Sequence, residues 1–252
     1  VRVLDLTRVL AGPTCARTLA EHGADVLHIA SPKLPTFEAL EIDTGHGKRQ
    51  AWADLATVGG REVLRDLVQD SDVFSQGYRA GSLDRRGFGP RDVAKLRPGI
   101  VYVSINCFGH TGPWRERPGW EQLAQTVSGI VVGQGTDGMP ETVPAAMNDY
   151  TTGYWGAYGA MTALARRAGE GGSWHVTVSL CQTSMWYERL GRSHSKDEAA
   201  VLEDVTAFST TSETEWGRVT HLRPVVEMSE TPTGWDQPTT PLGHDAPRWL
   251  SR

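Results

Sequence analysis

Apolar residues follow two alternating rhythms along the first three quarters of this chain. The runs VRVLDL (1–6), ADVLHIA (24–30), DVFSQGY (72–78), IVYVSINCFG (100–109) and SWHVTVSL (173–180) are short and β-branched, and read as strands. Between them, CARTLAEHG ending at Gly23, GREVLRDLVQDS (60–71), PRDVAKLRPG (90–99), residues 119–132 and 149–167, and CQTSMWYERLG carry the spacing of helices with one buried face. Strand and helix in alternation predict an α/β fold: a Rossmann-like parallel sheet with helices on both faces, its ligands beyond the carboxyl ends of the strands. From about residue 192 the rhythm stops, giving way to Ser, Thr, Pro and Glu with scattered tryptophans at 216, 235 and 249. That predicts one domain over 1–190 and an extended C-terminal arm or a few short strands over 191–252, wrapping something else.

Composition narrows the function classes. The 252 residues, 39% hydrophobic and 22% charged, are ordinary for a globular protein, and the 25 basic and 30 acidic side chains give a net charge of −5. No cluster of five or more like charges favours nucleic acid or an anionic membrane surface. Cys15, Cys107 and Cys181 are odd in number and far apart, without the paired spacing of a zinc site or redox dithiol. Reduced thiols, no basic-then-apolar leader and no bilayer-length apolar stretch together predict a cytoplasmic protein. The chain opens on Val1, already inside a strand, which points to a processed terminus or an excerpt of something longer.

Some motifs fail on their chemistry. In GHGKR (45–49) a phosphate-binding loop would need Gly at position 42, where Ile stands, and Ser or Thr after Lys48. No serine sits in a Gly-x-Ser-x-Gly turn. The eight histidines are dispersed singly, so no metal site is expected.

Three strand-end loops carry more. RVLAGP (8–13) is a small-residue turn with a proline poised to open a helix. QGYRAGSLDRRGFG (76–89) holds an aromatic and three arginines in a glycine-rich loop, and VSINCFGHTGPWRERPG (103–119) is the third. Asp149 stands at the mouth of the 149–167 helix, where Gly153, Gly156 and Gly159 form a stripe that lets another backbone approach. Its simplest role is an N-cap.

In order, VRVLDLTRVLAGP, EHGADVLHI, GKRQAWADL, DVFSQGYRAGSLDRRGFG, LRPGIVYVSINCFGHTGPW and NDYTTGYWGAYGAMTALARR resemble landmarks of the class III CoA-transferase family, which includes formyl-CoA transferase, carnitine CoA-transferase and the alpha-methylacyl-CoA racemases. The resemblance covers residues 1–190, and SETPTGWDQPTTPLGHDAP (229–247) is similar to the family's closing segment. It implies that Asp149 is the nucleophile toward an acyl-CoA thioester, held ionised by the helix end, with a carboxylic acid as acceptor and no permanently bound cofactor. CoA contacts carry over to Ala11, Asp54, Leu55, Gly77, Tyr78, Arg79, Arg85, Asn106 and Phe108, with Arg79 and Arg85 toward phosphates. It also implies an interlocked homodimer or a partner half-chain; Trp216 and Trp235, in a segment with no visible core of its own, are expected to be buried by that partner.

The departures define two alternatives. Ala56 replaces a basic residue of the family, the loop between Pro32 and His46 lacks an expected arginine, and most of the family's second domain, with its glycine-rich loop over the acid, has no counterpart. A catalytically silent CoA-binding subunit or scaffold would fit those losses. A racemase or isomerase would need another base, because Trp120 and Glu121 stand in the stretch where the racemase branch uses a histidine.

Overall fold

The computed structural model describes residues 1–191 and 204–251; positions 192–203 and 252 of the tail lie outside the described residues. Six parallel strands form the central sheet: β1 (Arg2–Leu6), β2 (Asp25–Ala30), β3 (Lys48–Trp52), β4 (Val73–Gln76), β5 (Val101–Asn106) and β6 (Trp174–Ser179). Their spatial order is β3-β2-β1-β4-β5-β6. Helices α1 (Ala11–Glu21), α2 (Glu38–Thr44), α3 (Val58–Gln69), α4 (Pro90–Leu96), α5 (Glu121–Ser128), α6 (Ile130–Gln134), α7 (Met147–Glu170) and α8 (Leu180–Leu190) complete this part. The predicted α/β architecture is therefore the observed one.

Alternate strand residues feed two cores. Val3, Val26, Val73, Val101 and Val103 pack with Cys15 and Leu19 of α1 and Ala157, Ala160 and Ala163 of α7. On the other face Leu4, Leu6, Leu27 and Phe74 pack with Leu64, Leu67 and Val68 of α3 and Val93 of α4. Buried on both faces, these strands read as nearly continuous apolar runs. The glycine stripe does what its spacing suggested. A methyl group on Gly153 would stand 2.6 Å from the Ala11 carbonyl oxygen, and one on Gly156 3.0 Å from Cys15 Sγ, so α7 lies almost backbone to backbone on α1.

Two elements differ from the pattern. The predicted helix over 119–132 is two, because Gly129 takes φ 87° and ends α5. The edge strand β3 is not announced by alternation, since its residues Lys48, Arg49 and Gln50 are polar yet buried. Burial is tolerable because each is paired: Lys48 Nζ donates to Asp5 Oδ2 (3.1 Å) and the Pro13 carbonyl (2.8 Å), Arg49 pairs with Asp25 (2.8 Å), and Gln50 Oε1 lies 2.6 Å from His28 Nδ1.

The tail forms an antiparallel hairpin, β7 (Ser209–Thr214) and β8 (Gly217–Leu222), and then runs back along β3. Asp245 N donates to the Gln50 carbonyl, Gln50 N to Asp245 Oδ2 (both 2.8 Å), and Gly47 N to the Gln237 carbonyl (3.0 Å). Within the chain, Trp216 and Trp235 each find a hydrogen-bond acceptor. Trp235 Nε1 donates to the Arg17 carbonyl (3.2 Å) and Trp216 Nε1 to Glu38 (3.0 Å).

Candidate active site

Between β1 and β4 the strand order turns, so the loops leaving these two strands diverge and open a crevice at their carboxyl ends. A cavity of about 200 Å³ lies there, lined by the turn after β1, by Gly77 and Tyr78 after β4, by Ile105, Asn106 and Cys107 at the end of β5, and by Asp149. The three loops singled out in the sequence thus converge on the one acid. Beside it a larger cavity of about 590 Å³ is lined by Arg8, Lys33, Arg79, Arg85 and Arg86, with Asp54 as its one carboxylate among the described residues. Tyr78 and Arg8 line both, so the two cavities adjoin across these side chains.

Of the remaining predicted residues, Ala11, Gly77 and Asn106 line the small cavity, and Asp54, Leu55, Arg79 and Arg85 the large one. Asn106 spends its side chain on the local turn, donating to the Gly109 carbonyl (3.1 Å) and accepting from Gly109 N (2.7 Å). Phe108 lines neither cavity: its ring packs on the core and meets Trp114 edge-on at 5.5 Å. Lys33, in the loop that lacks the expected arginine, pairs with Asp54 at 2.6 Å and brings a cation to the large cavity. That pairing holds the Asp54 carboxyl below its usual range.

The turn after β1 is strained and braced from below. Val9 adopts φ 72°, a conformation that costs a β-branched residue about 1–3 kcal/mol unless its surroundings enforce it. Asp5, completely buried, accepts from Thr7 N (2.9 Å) and Thr7 Oγ1 (2.6 Å) as well as from Lys48. A side chain on Gly12 would collide with Thr7. Lys48, rejected above as a phosphate-binding lysine, instead pins the floor of the cleft.

Asp149 is not the N-cap. Helix α7 begins at Met147 after Ala146, and the acid that satisfies its first turn comes from α5: Glu121 Oε2 accepts from Asp149 N (2.8 Å), and Oε1 accepts from Asn148 N (3.3 Å) and Asn148 Nδ2 (2.9 Å). Gln125 Nε2 donates to the same carboxylate (2.7 Å). With capping delegated to Glu121, the Asp149 carboxyl is left to face the cavity. No local pattern could have revealed this partner 28 residues upstream.

Nor does the helix end keep Asp149 ionised, as the helix dipole alone would suggest. Only 8% exposed and beside the Glu121 charge, its carboxyl is pushed from 3.8 up to about 7, first by burial and then by Glu121. A helix N-terminus offers about 0.3–1 kcal/mol to an anion, up to about 2 when partly buried. A rise of about three units costs the anion roughly 4 kcal/mol, so burial wins.

The family model for CoA-transferase family III matches residues 1–191. The chain belongs to CoA-transferase family III. This family III chain is 41% identical over 196 residues to the acetyl-coenzyme A transferase nodX of Hypoxylon pulicicidum, covering 75% of itself and 33% of that protein. It is 34% identical over 193 residues to the formyl-CoA:oxalate CoA-transferase of Afipia carboxidovorans, covering 71% and 45%. Among solved structures it resembles a CAIB/BAIF family protein from Brucella suis, with TM-score 0.69 and 29% identity over 86% of this chain and 64% of that one. Rv3272 from M. tuberculosis aligns with TM-score 0.72 and 25% identity over 75% and 56%. The chain spans less than half the length of these two curated relatives. Among the described residues no group of three or more His, Cys, Asp or Glu is placed to hold a metal, and no helix is long and apolar enough to cross a membrane.

Proposed function

We propose that this family III chain moves CoA between carboxylic acids, with Asp149 as the nucleophile. The observation that carries the reading is the adjacency of two cavities: Asp149 faces a small one that shares Tyr78 and Arg8 with a larger one bearing five cationic side chains. A CoA thioester has that division of chemistry, a polyanionic nucleotide end and a neutral reacting end. Arg79 and Arg85 meet the phosphates, Tyr78 packs where the pantetheine arm passes, and Ala11 and Gly77 let it run close to the backbone.

In the first step an Asp149 oxygen attacks the thioester carbonyl carbon, and the C–S bond breaks to give an aspartyl-acyl anhydride and CoA thiolate. The thiolate attacks the aspartyl carbonyl, releasing the donor carboxylate and leaving an aspartyl-CoA thioester. An acceptor carboxylate then reverses the two steps, restoring the Asp149 carboxylate. A pKa near 7 suits this cycle, because the carboxyl is half ionised at neutral pH and more nucleophilic than an ordinary aspartate.

A mass spectrum of the intact protein after incubation with acyl-CoA donors tests the reading. A covalent adduct lost on adding hydroxylamine, and absent in Asp149→Ala, is expected. CoA binding with no adduct from any donor would instead favour the silent CoA-binding subunit. In this proposal the full reaction extends to an interlocked dimer or partner half-chain. Cytoplasmic residence belongs to the same proposal.

A further inference from the structure

Beneath the cleft a row of polar side chains crosses the sheet that the transfer chemistry does not use. Tyr78 N donates to Gln76 Oε1 (2.8 Å), Gln76 Nε2 donates to Ser104 Oγ (3.2 Å), and Ser104 Oγ lies 2.9 Å from His175 Nε2. Gln76 and Ser104 are buried neighbours in register on β4 and β5, whereas His175 sits exposed on the outer strand β6. One end of the row is therefore the backbone of the turn that lines both cavities, and the other is an imidazole at the protein surface.

We propose that Gln76, Ser104 and His175 are positioning residues, a hydrogen-bond relay through which the protonation of a surface histidine sets the Gly77–Tyr78 turn and hence the grip on CoA. It rests on the reading of Tyr78 as a wall of the CoA cleft. The direction of the relay follows from donor counts. Tyr78 N–H and the Gln76 amide are fixed donors, so the Ser104 proton is free to point at His175, which accepts it when Nε2 is unprotonated. Protonation turns Nε2 into a donor. Ser104 Oγ then meets two donors while its own proton loses its acceptor, and the hold of Gln76 on the Tyr78 amide loosens.

The groups that face His175 are few. His110, from the loop after β5, lies 6.2 Å away ring to ring, Tyr102 meets the imidazole edge-on at 5.4 Å, and Arg91 of α4 lines the same hollow. Partial burial of the ring and then His110 hold the imidazole below its ordinary range, opposed by Asp84 in the short turn before α4, the one acid among the described residues that favours the charged ring.

Nuclear magnetic resonance on the whole chain reads the relay without any ligand. Between pH 5 and 8 the Tyr78 amide shift is expected to titrate with the same midpoint as the His175 ring, to lose that titration in Ser104→Ala, and to keep it in His110→Gln. A flat Tyr78 amide in the natural chain, or one that still follows His175 in Ser104→Ala, would overturn the relay. Calorimetric binding of CoA adds the functional arm: Ser104→Ala should bind about threefold to tenfold more weakly at pH 8. His175→Gln, which retains an acceptor of similar reach, should bind as the natural chain does at pH 8 and lose the weakening at pH 5. Should the natural chain bind no CoA, the cleft assignment fails, while the amide titration still decides the relay.

Discussion

Replacing Asp149 by Asn isolates what it costs to keep that carboxyl in the cleft. Unfolded, the side chain ionises near 3.8; folded, near 7. Between those values the folded state holds a proton that the unfolded state has released, so stability falls as pH rises, by about 1.4 kcal/mol per unit, and levels off above about 7. The contribution is fully present below 3.8 and has gone by about pH 8. From pH 5 to pH 8 the natural chain should therefore lose about 3 kcal/mol that Asp149→Asn keeps. Urea unfolding of both chains at the two pH values measures this as a difference of differences, which cancels any general effect of the amide. Equal pH dependence in the two chains would show that Asp149 titrates as an ordinary surface acid, and both the burial argument and the role of Glu121 would fall with it.

The same geometry makes further claims. The transferase rate should rise with pH through about 7 as Asp149 ionises, and Glu121→Gln, which removes the second cause of the raised pKa, should move that limb to lower pH in a pH–rate profile. Arg79→Ala with Arg85→Ala should raise KM for acyl-CoA and leave kcat nearly unchanged, read by steady-state kinetics, because phosphate contacts bind ground and transition states alike. Gly153→Ala forces a methyl group onto the Ala11 carbonyl and should cost about 1–3 kcal/mol in urea unfolding. Lys48→Met strands the buried Asp5 charge and should cost about 3–5 kcal/mol in the same measurement.

The legible parts of this molecule were those written in local pattern. β1, β2, β4, β5 and β6 announced themselves through β-branched runs, and the glycine stripe of α7 through its three-residue spacing. The convergence of three loops followed from strand order. Long-range pairing was not legible. Nothing in KRQAW reads as a buried strand until Asp5 and Asp25 are seen beside Lys48 and Arg49, and nothing in WEQLAQ marks Glu121 as the cap of a helix 26 residues further on. Arg8 and Lys33 were missed as cleft residues because their neighbours there come from other loops. The error about Asp149 has one physical source: its depth. A helix end judged from sequence is assumed to face water, where its dipole favours an anion, and here the carboxyl is 8% exposed and lies beside the Glu121 charge.

The return path of the tail along β3 has a bearing on solubility. A parallel sheet that ends in an uncovered strand offers free amide and carbonyl groups to any passing chain, a ready template for edge-to-edge aggregation. Here Asp245 occupies Gln50 from both sides, and Arg49 Nη1 donates to the Arg248 carbonyl (2.8 Å). The last thirty or so positions thus act as a stopper, and shortening the chain before them should yield protein that precipitates although every strand of the sheet is intact.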